Sequence, residues 1–313
     1  MNARGLLDGY WRSLKPREVE EPIDVWVHRP LAYLLALTLR PTPVSPNWVT
    51  GMSIVAGIAA SCAMFMAFPR HMPIAGLCIF LSAVFDCADG QLARMRGTSS
   101  ILGRMLDGAA DGVVSIAIVV AGSYVVLQQH WEPPLARAIF VPLVVITAIT
   151  GSYHTGSYDH YKNLYLRLCH PTYREGEDIE TAEARRKKLE QQRQPLVVRI
   201  AWPVYVSYIR THNRFGRWFD PYTTRRLDRL PPYQAERAAI YRRHAEPLMR
   251  WWRLLFGFGS LVFGFAVATA FDVLDWYVLI RGIGLNLLYF GYMLPRQRSA
   301  SRRAFEEMQL LAR

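Results

Sequence analysis

Long apolar runs along this chain are separated by polar breaks. They fall at about Asn47–Phe68, Met72–Ala88, Met105–Gln128, Leu135–Tyr158, Trp251–Phe271 and Leu274–Leu294. Each is near the roughly 20 residues that an α-helix needs to cross a hydrocarbon core. The pattern predicts an all-α integral membrane protein with six transmembrane helices. The second and third runs are less clean because carboxylates interrupt them: Asp86 and Asp89 extend the second, and Asp107 and Asp111 open the third.

Outside the runs the pattern is coarser. Glu21–Arg40 is apolar over much of its length but broken by His28, Arg29 and Pro30. It reads as an N-terminal helix at the membrane interface, ended by a break holding Pro41, Pro43 and Pro46. Residues 162–250 form a cytoplasmic insertion too long for a plain loop. Within it, Glu180–Gln194 reads as a solvated charged helix. Leu196–Ile209 is apolar but holds Arg199 and Pro203, and reads as interfacial rather than as a seventh span. The expected organisation is an N-terminal segment at 1–46, four spans at 47–161, the partly helical insertion at 162–250, two spans at 251–294 and a basic tail at 295–313, anchored at the membrane surface.

The net charge of +12 would suggest nucleic acid for a soluble protein. Here its distribution suggests topology instead, and no nucleic-acid partner is expected. Lys and Arg number 6 before the first span, 3 around the second turn, 19 in the long insertion and 5 in the tail. Two of the other connections carry 1 each and the third none. Discounting the insertion, the positive-inside rule places both termini and the second turn in the cytoplasm. The expected location is a bacterial or archaeal cytoplasmic membrane, with no cleavable signal peptide, since residues 1–20 lack an apolar core. Cys62, Cys78, Cys87 and Cys169 have no metal-type spacing and are expected as free thiols.

The chemistry centres on the four aspartates. A charge inside a span is costly unless paired, and clustered carboxylates raise one another's pKa, so the group calls for a cation. Oxygen ligands at this density suit a hard divalent ion, Mg²⁺ or, as a substitute, Mn²⁺. Asp86 and Asp89 are three apart and Asp107 and Asp111 four apart, so each pair shares a helix face. The run Gly97-Thr98-Ser99-Ser100 predicts a turn that folds the two helices into an antiparallel hairpin. At about 1.5 Å per residue, Asp86 and Asp111 lie about 19 Å from that turn, and Asp89 and Asp107 about 14 Å. The pairs therefore match in depth. Gly90, Ala93, Gly103, Gly108 and Ala110 leave room for a ligand. Spacing alone leaves the four carboxylates interchangeable.

The series Asp86-x2-Asp89-Gly90-x2-Ala93-Arg94-x8-Gly103-x3-Asp107-x3-Asp111 resembles, without a departure, the signature of the CDP-alcohol phosphotransferase family, at eight positions over 26 residues. The resemblance extends loosely to Pro46–Thr50. It implies a metal-dependent transfer of a substituted phosphate from a CDP-alcohol to an acceptor alcohol, with release of CMP, in phospholipid biosynthesis. It further implies Asp86, Asp89 and Asp107 as ligands of two metal ions, and Asp111 as general base that also touches the second metal. Gly90, Ala93 and Gly103 would pack on the cytidine diphosphate. CDP-diacylglycerol is the favoured donor, because a site open to the bilayer suits a lipid nucleotide. Polar CDP-alcohols stay open, as do phosphatidylinositol-phosphate, phosphatidylglycerol-phosphate and di-inositol-phosphate synthesis. A homodimer is also implied.

Other candidates carry two readings each. Arg94 either binds donor phosphate or neutralises Asp89. Asn47 and Thr50 either donate to the nucleotide or, for Asn47, cap the first span. Arg281 lies within the sixth span, where an Arg is a candidate acceptor ligand by default, yet it is near enough to the far end to snorkel outward. Arg104 and His154, with His160 and Lys162, could form a basic acceptor pocket or serve as interfacial anchors. The rival class is a cation channel or transporter that uses the acidic cluster as an ion pathway. The small-residue and Arg framework at fixed spacing argues against it, since ion coordination does not require one.

Overall fold

A computed structural model describes residues 3–14, 16–66, 68–98, 101–171, 216, 218–227 and 233–310; for 3, 4, 6, 12, 101–107, 109, 110, 227 and 310 it describes the backbone alone. The described residues are helical. In chain order the helices are α1 (Ala3–Ser13), α2 (Arg29–Leu39), α3 (Pro46–Phe65), α4 (His71–Arg96), α5 (Ile101–Gln129) and α6 (Pro134–Cys169). They continue as α7 (Pro221–Leu227), α8 (Ala235–Leu255), α9 (Phe258–Ala270), α10 (Leu274–Leu279), α11 (Asn286–Leu288) and α12 (Leu294–Leu310). Six helical stretches are long and apolar enough to cross a membrane: Pro46–Phe65, His71–Arg96, Asp111–Gln129, Pro134–Cys169, Ala235–Ala270 and Leu274–Gln309. These correspond one for one to the six apolar runs.

The boundaries differ where hydropathy has no vote. The fourth stretch runs on to Cys169, and the fifth begins at Ala235, inside the segment read as insertion. The sequence predicts one unbroken fifth helix at Trp251–Phe271. Instead Phe256 leaves the helical region at φ −116°, ψ 1°, and Phe256-Gly257 interrupts the stretch between α8 and α9. The sixth stretch is widened into π turns at Ile280–Leu285 and Tyr289–Met293, runs that contain Gly282, Gly284 and Gly291. Glycine weakens a helix interior, and such wide turns are tolerated in exchange. Glu180–Gln194 and Leu196–Ile209 lie outside the described residues.

The chain divides into two compact units, Met1–Gly151 with Phe258–Leu285, and Ser152–Gly257 with Asn286–Arg313. In the first, α3 packs on both α4 and α5, and α4 packs on α2 and α9. Ala60, Ala63 and Ala75 are buried beside Met64 and Ile79, and small residues are what let membrane helices approach closely. At Gly76 the approach is closest: a Cβ there would sit 2.6 Å from the Ala266 carbonyl and the Ala270 amide of α9. Ser53 and Ser82 clasp α3 to α4 reciprocally, each hydroxyl donating to the other residue's carbonyl at 2.9 and 2.8 Å.

The end of α4 follows from one glycine. Gly97 adopts φ +66°, open to glycine without steric cost. The Thr98 amide then reaches back to the Ala93 carbonyl at 3.0 Å and the Gly97 amide to Arg94 at 3.2 Å, a Schellman cap. Arg96 projects from this last turn onto the end of α2. Its guanidinium donates to the carbonyls of Leu39 (2.6 Å), Thr42 (2.8 Å) and Val44 (2.5 Å).

The second unit has an aromatic core of Tyr161, Trp252, Phe256 and Tyr289, all buried. Their polar atoms are paired: Tyr289 with the Ser157 hydroxyl at 2.6 Å, Trp252 Nε1 donating to Gln297 Oε1 at 3.0 Å, Tyr161 donating to Asp220 Oδ2 at 3.2 Å. Gln297 belongs to α12, so the basic tail is helical and packs on α8 through buried Ala304, Phe305 and Met308.

Candidate functional site

The site lies in the first unit, in a cavity of roughly 140 Å³. Asp86 from α4 and Asp111 from α5 both line it and are half-buried. The two outer carboxylates, placed at matched depth by counting from the turn, thus reach one space. Ser53 and Ser82 add their clasp to the wall, and Ile79, Val114, Ile118, Val262 and Phe265 make the rest of it apolar.

Asp89 is placed differently. It is 4% exposed, and its Oδ2 accepts a hydrogen bond from the Thr50 hydroxyl across the α3–α4 contact. Thr50 therefore acts on an aspartate of the motif. Asn47 is exposed, and it does not cap α3: Ser45 holds the cap position in extended backbone, with Pro46 opening the helix. Proline is suited to that first position because it lacks the amide that would go unbonded. Ala93 is half-buried. Arg94 is exposed and lies back along its own helix, so that a Cβ at Gly90 would be 3.3 Å from its Nη1. Gly90 thus serves the arginine as well as any ligand. Gly103, Arg104 and Asp107 belong to α5 by their backbone, and their side chains lie outside the described residues, as do Ser99 and Ser100 of the turn.

Of the candidates for the acceptor, Arg281 belongs to the first unit and His154 to the second. Arg281 is 5% exposed, in the π turn of the sixth stretch, with its guanidinium 5.7 Å from the Tyr277 ring centre. It is buried rather than extended outward to water. His154 is buried in the aromatic core of the second unit, 5.1 Å from Phe256 and 4.7 Å from Tyr289 between ring centres. Lys162 pairs with Asp159 one turn back. All four cysteines are free, as expected.

An acidic and imidazole group of the cavity was missed by sequence reasoning. Glu21, Asp24 and His28, from the segment preceding α2, line the same space as Asp86 and Asp111. Asp24–His28 is a π turn, closed by the Arg29 amide on the Asp24 carbonyl. Pro30 follows at once and lacks a backbone donor. Glu21 Oε2 accepts from the Ser260 amide at 2.9 Å, at the start of α9, and Asp24 Oδ1 lies 2.9 Å from His28 Nδ1. Glu20 and Arg29 form a buried ion pair at 3.1 Å, and Gln91 of α4 donates to the Arg29 carbonyl at 3.4 Å. The Tyr10 hydroxyl donates to the Val25 carbonyl within the turn. Burial, opposed in part by the Arg29 charge, pushes that phenol up to about 12. The spacing of Asp24 and His28, four apart, was legible; that it faces the motif aspartates is a long-range fact.

Among the described residues, no three His, Cys, Asp or Glu side chains gather as ligands of one metal. The chemistry of the donor set still fits a hard cation: Asp86, Asp89 and Asp111 offer only carboxylate oxygen, and Asp107 stands one turn before Asp111 on the same helix.

Residues 43–157 are matched by the family model for CDP-alcohol phosphatidyltransferase, so the chain carries a domain of that family spanning the motif and its flanking helices. A stretch of 84 residues is 32% identical to a phosphatidylinositol phosphate synthase of Mycobacteroides abscessus. The match covers 27% of this chain and 37% of that protein, so the chain spans little more than a third of the relative's length.

Proposed function

We propose that this chain, which carries a CDP-alcohol phosphatidyltransferase domain at residues 43–157, moves a substituted phosphate from a CDP-alcohol to an acceptor hydroxyl and releases CMP in phospholipid synthesis. The observation that carries the reading is the shared cavity of Asp86 and Asp111, drawn from two helices of that domain. Asp111 takes the proton of the acceptor hydroxyl. The acceptor oxygen bonds to the phosphorus that bears the donor alcohol. The bond from that phosphorus to the bridging oxygen breaks, and its electron pair departs with CMP.

Asp86, Asp89 and Asp107 are the ligand set for the divalent metal, with Asp111 at its edge. Bound there, one or two Mg²⁺ ions would neutralise the pyrophosphate and the charge gathering on the leaving group. Thr50 holds Asp89 in one orientation, as partners of metal ligands do. Arg94, exposed beside Gly90, binds donor phosphate in this reading. The apolar wall of Val114, Ile118, Val262 and Phe265 below the carboxylates supports a lipid donor, CDP-diacylglycerol. The name of the relative directs the first acceptor to an inositol phosphate.

The test is CMP release from CDP-diacylglycerol by the purified protein in detergent, with Mg²⁺ or EDTA and a panel of free and phosphorylated polyols. Release that needs metal and one acceptor supports the reading. Nucleotide binding without release would shift the donor to another CDP-alcohol. Neither binding nor release would overturn it in favour of ion transport.

A further inference from the structure

His28 is 1% exposed, lines the cavity, and has one ring nitrogen without a partner. Its Nδ1 is engaged by Asp24 Oδ1 at 2.9 Å; Nε2 is buried and meets no donor or acceptor. A buried polar atom left unpaired is costly and calls for an explanation. Here the surroundings exclude simple looseness. The ring packs against both Phe80 and Phe263, at 5.6 and 5.8 Å between centres. The segment is tied to α9 by Glu21 on the Ser260 amide. Asp24 sits against the bare Cα of Gly259, where a Cβ would come within 2.2 Å of its Oδ1. The imidazole is therefore held in place with a single valence open.

The Asp24 carboxylate accepts from Nδ1–H, and in the neutral imidazole this leaves Nε2 a lone-pair acceptor. Phosphate and carboxylate oxygens are acceptors too and do not complement the neutral ring. A hydroxyl complements it, and the reaction proposed above brings a polyol into the same cavity.

We propose that the Asp24–His28 pair is a binding element for the acceptor: His28 Nε2 receives a hydrogen bond from a hydroxyl of the acceptor alcohol within the cavity that Asp111 also lines. The inference rests on the transferase reading. It adds an acceptor contact on the segment before α2, outside the motif helices, and makes the preferred acceptor one with a second hydroxyl beside the reacting oxygen.

The experiment compares wild type with His28→Phe, using inositol phosphate, glycerol 3-phosphate and their monodeoxy analogues as acceptors and CMP release as readout. Loss of one hydrogen bond predicts an acceptor KM raised about tenfold, roughly 1.4 kcal/mol, with donor KM unchanged. One deoxy analogue should be handicapped in wild type and not further handicapped in the variant, a coupling that a merely structural role would not produce. Gly259→Ala, which displaces Asp24 without touching the imidazole, should reproduce the acceptor effect and guards against misfolding of the first variant. Unchanged acceptor KM in either folded variant, or equal losses for donor and every analogue, would overturn the proposal while leaving the transferase reading intact. A wild-type protein that releases no CMP with any pair would overturn both.

Discussion

Asp111 and Asp86 share a cavity but are assigned different work, and single substitutions can separate them. Asp111→Asn preserves shape and removes the base; turnover should fall by about 10²–10⁴-fold while CDP-alcohol binding stays near wild type. Asp86→Asn should weaken donor binding and shift the Mg²⁺ titration together. If the two variants show the same pattern, the division of labour between them is wrong. Tyr10 gives a different kind of test. Its phenol is held up to about 12 in the fold against an ordinary 10.0, chiefly by burial. A raised pKa contributes stability that is whole below pH 10 and is lost as pH climbs toward 12. The π turn should loosen in that window, reported by fluorescence of Trp11 and Trp26, whose rings lie 6.1 Å apart. Tyr10→Phe should abolish that transition. At this scale the four aspartates were legible, because fixed spacing on two helices is local information. The place of Glu21, Asp24 and His28 in the site was not: the residues they share the cavity with lie some sixty to two hundred and forty positions away, in α4, α5 and α9, and no local pattern encodes that.

Helices were legible as far as hydrophobicity alone decides them. The six runs correspond to six helical stretches because a bilayer demands length and apolarity, and both are counted directly. The break at Phe256-Gly257 and the π turns after Leu279 escaped because residues on both sides of each are equally apolar. The Arg96 clasp escaped for a related reason. In sequence Arg96 is one more cytoplasmic-side cation; in the fold it gathers the carbonyls at the end of α2 and the turn beyond. Arg96→Ala should lower stability by about 1.5 kcal/mol, the low end for charged hydrogen bonds because the side chain is half exposed. Thermal unfolding in detergent measures it. Arg96→Lys should recover little, since one ammonium cannot span the carbonyls that a planar fork reaches.

In the molecule as a whole, four carboxylates from distant stretches of chain, Glu21, Asp24, Asp86 and Asp111, line one cavity. Residues 162–250 hold 19 of the 37 Lys and Arg residues, and their central part lies outside the described residues. The family match ends at residue 157, whereas the cavity wall draws on Glu21, Asp24 and His28 before it and on Gly259, Val262 and Phe265 after it. The aspartate motif and the rest of the cavity wall are thus different stretches of chain. With the acceptor held by the Asp24–His28 pair as proposed, a lineage could keep the four aspartates untouched and still change which alcohol it consumes by rewriting a few residues around the π turn. The reaction and the choice of product would then be separately heritable, one written in the helical hairpin and the other in a short segment that precedes it.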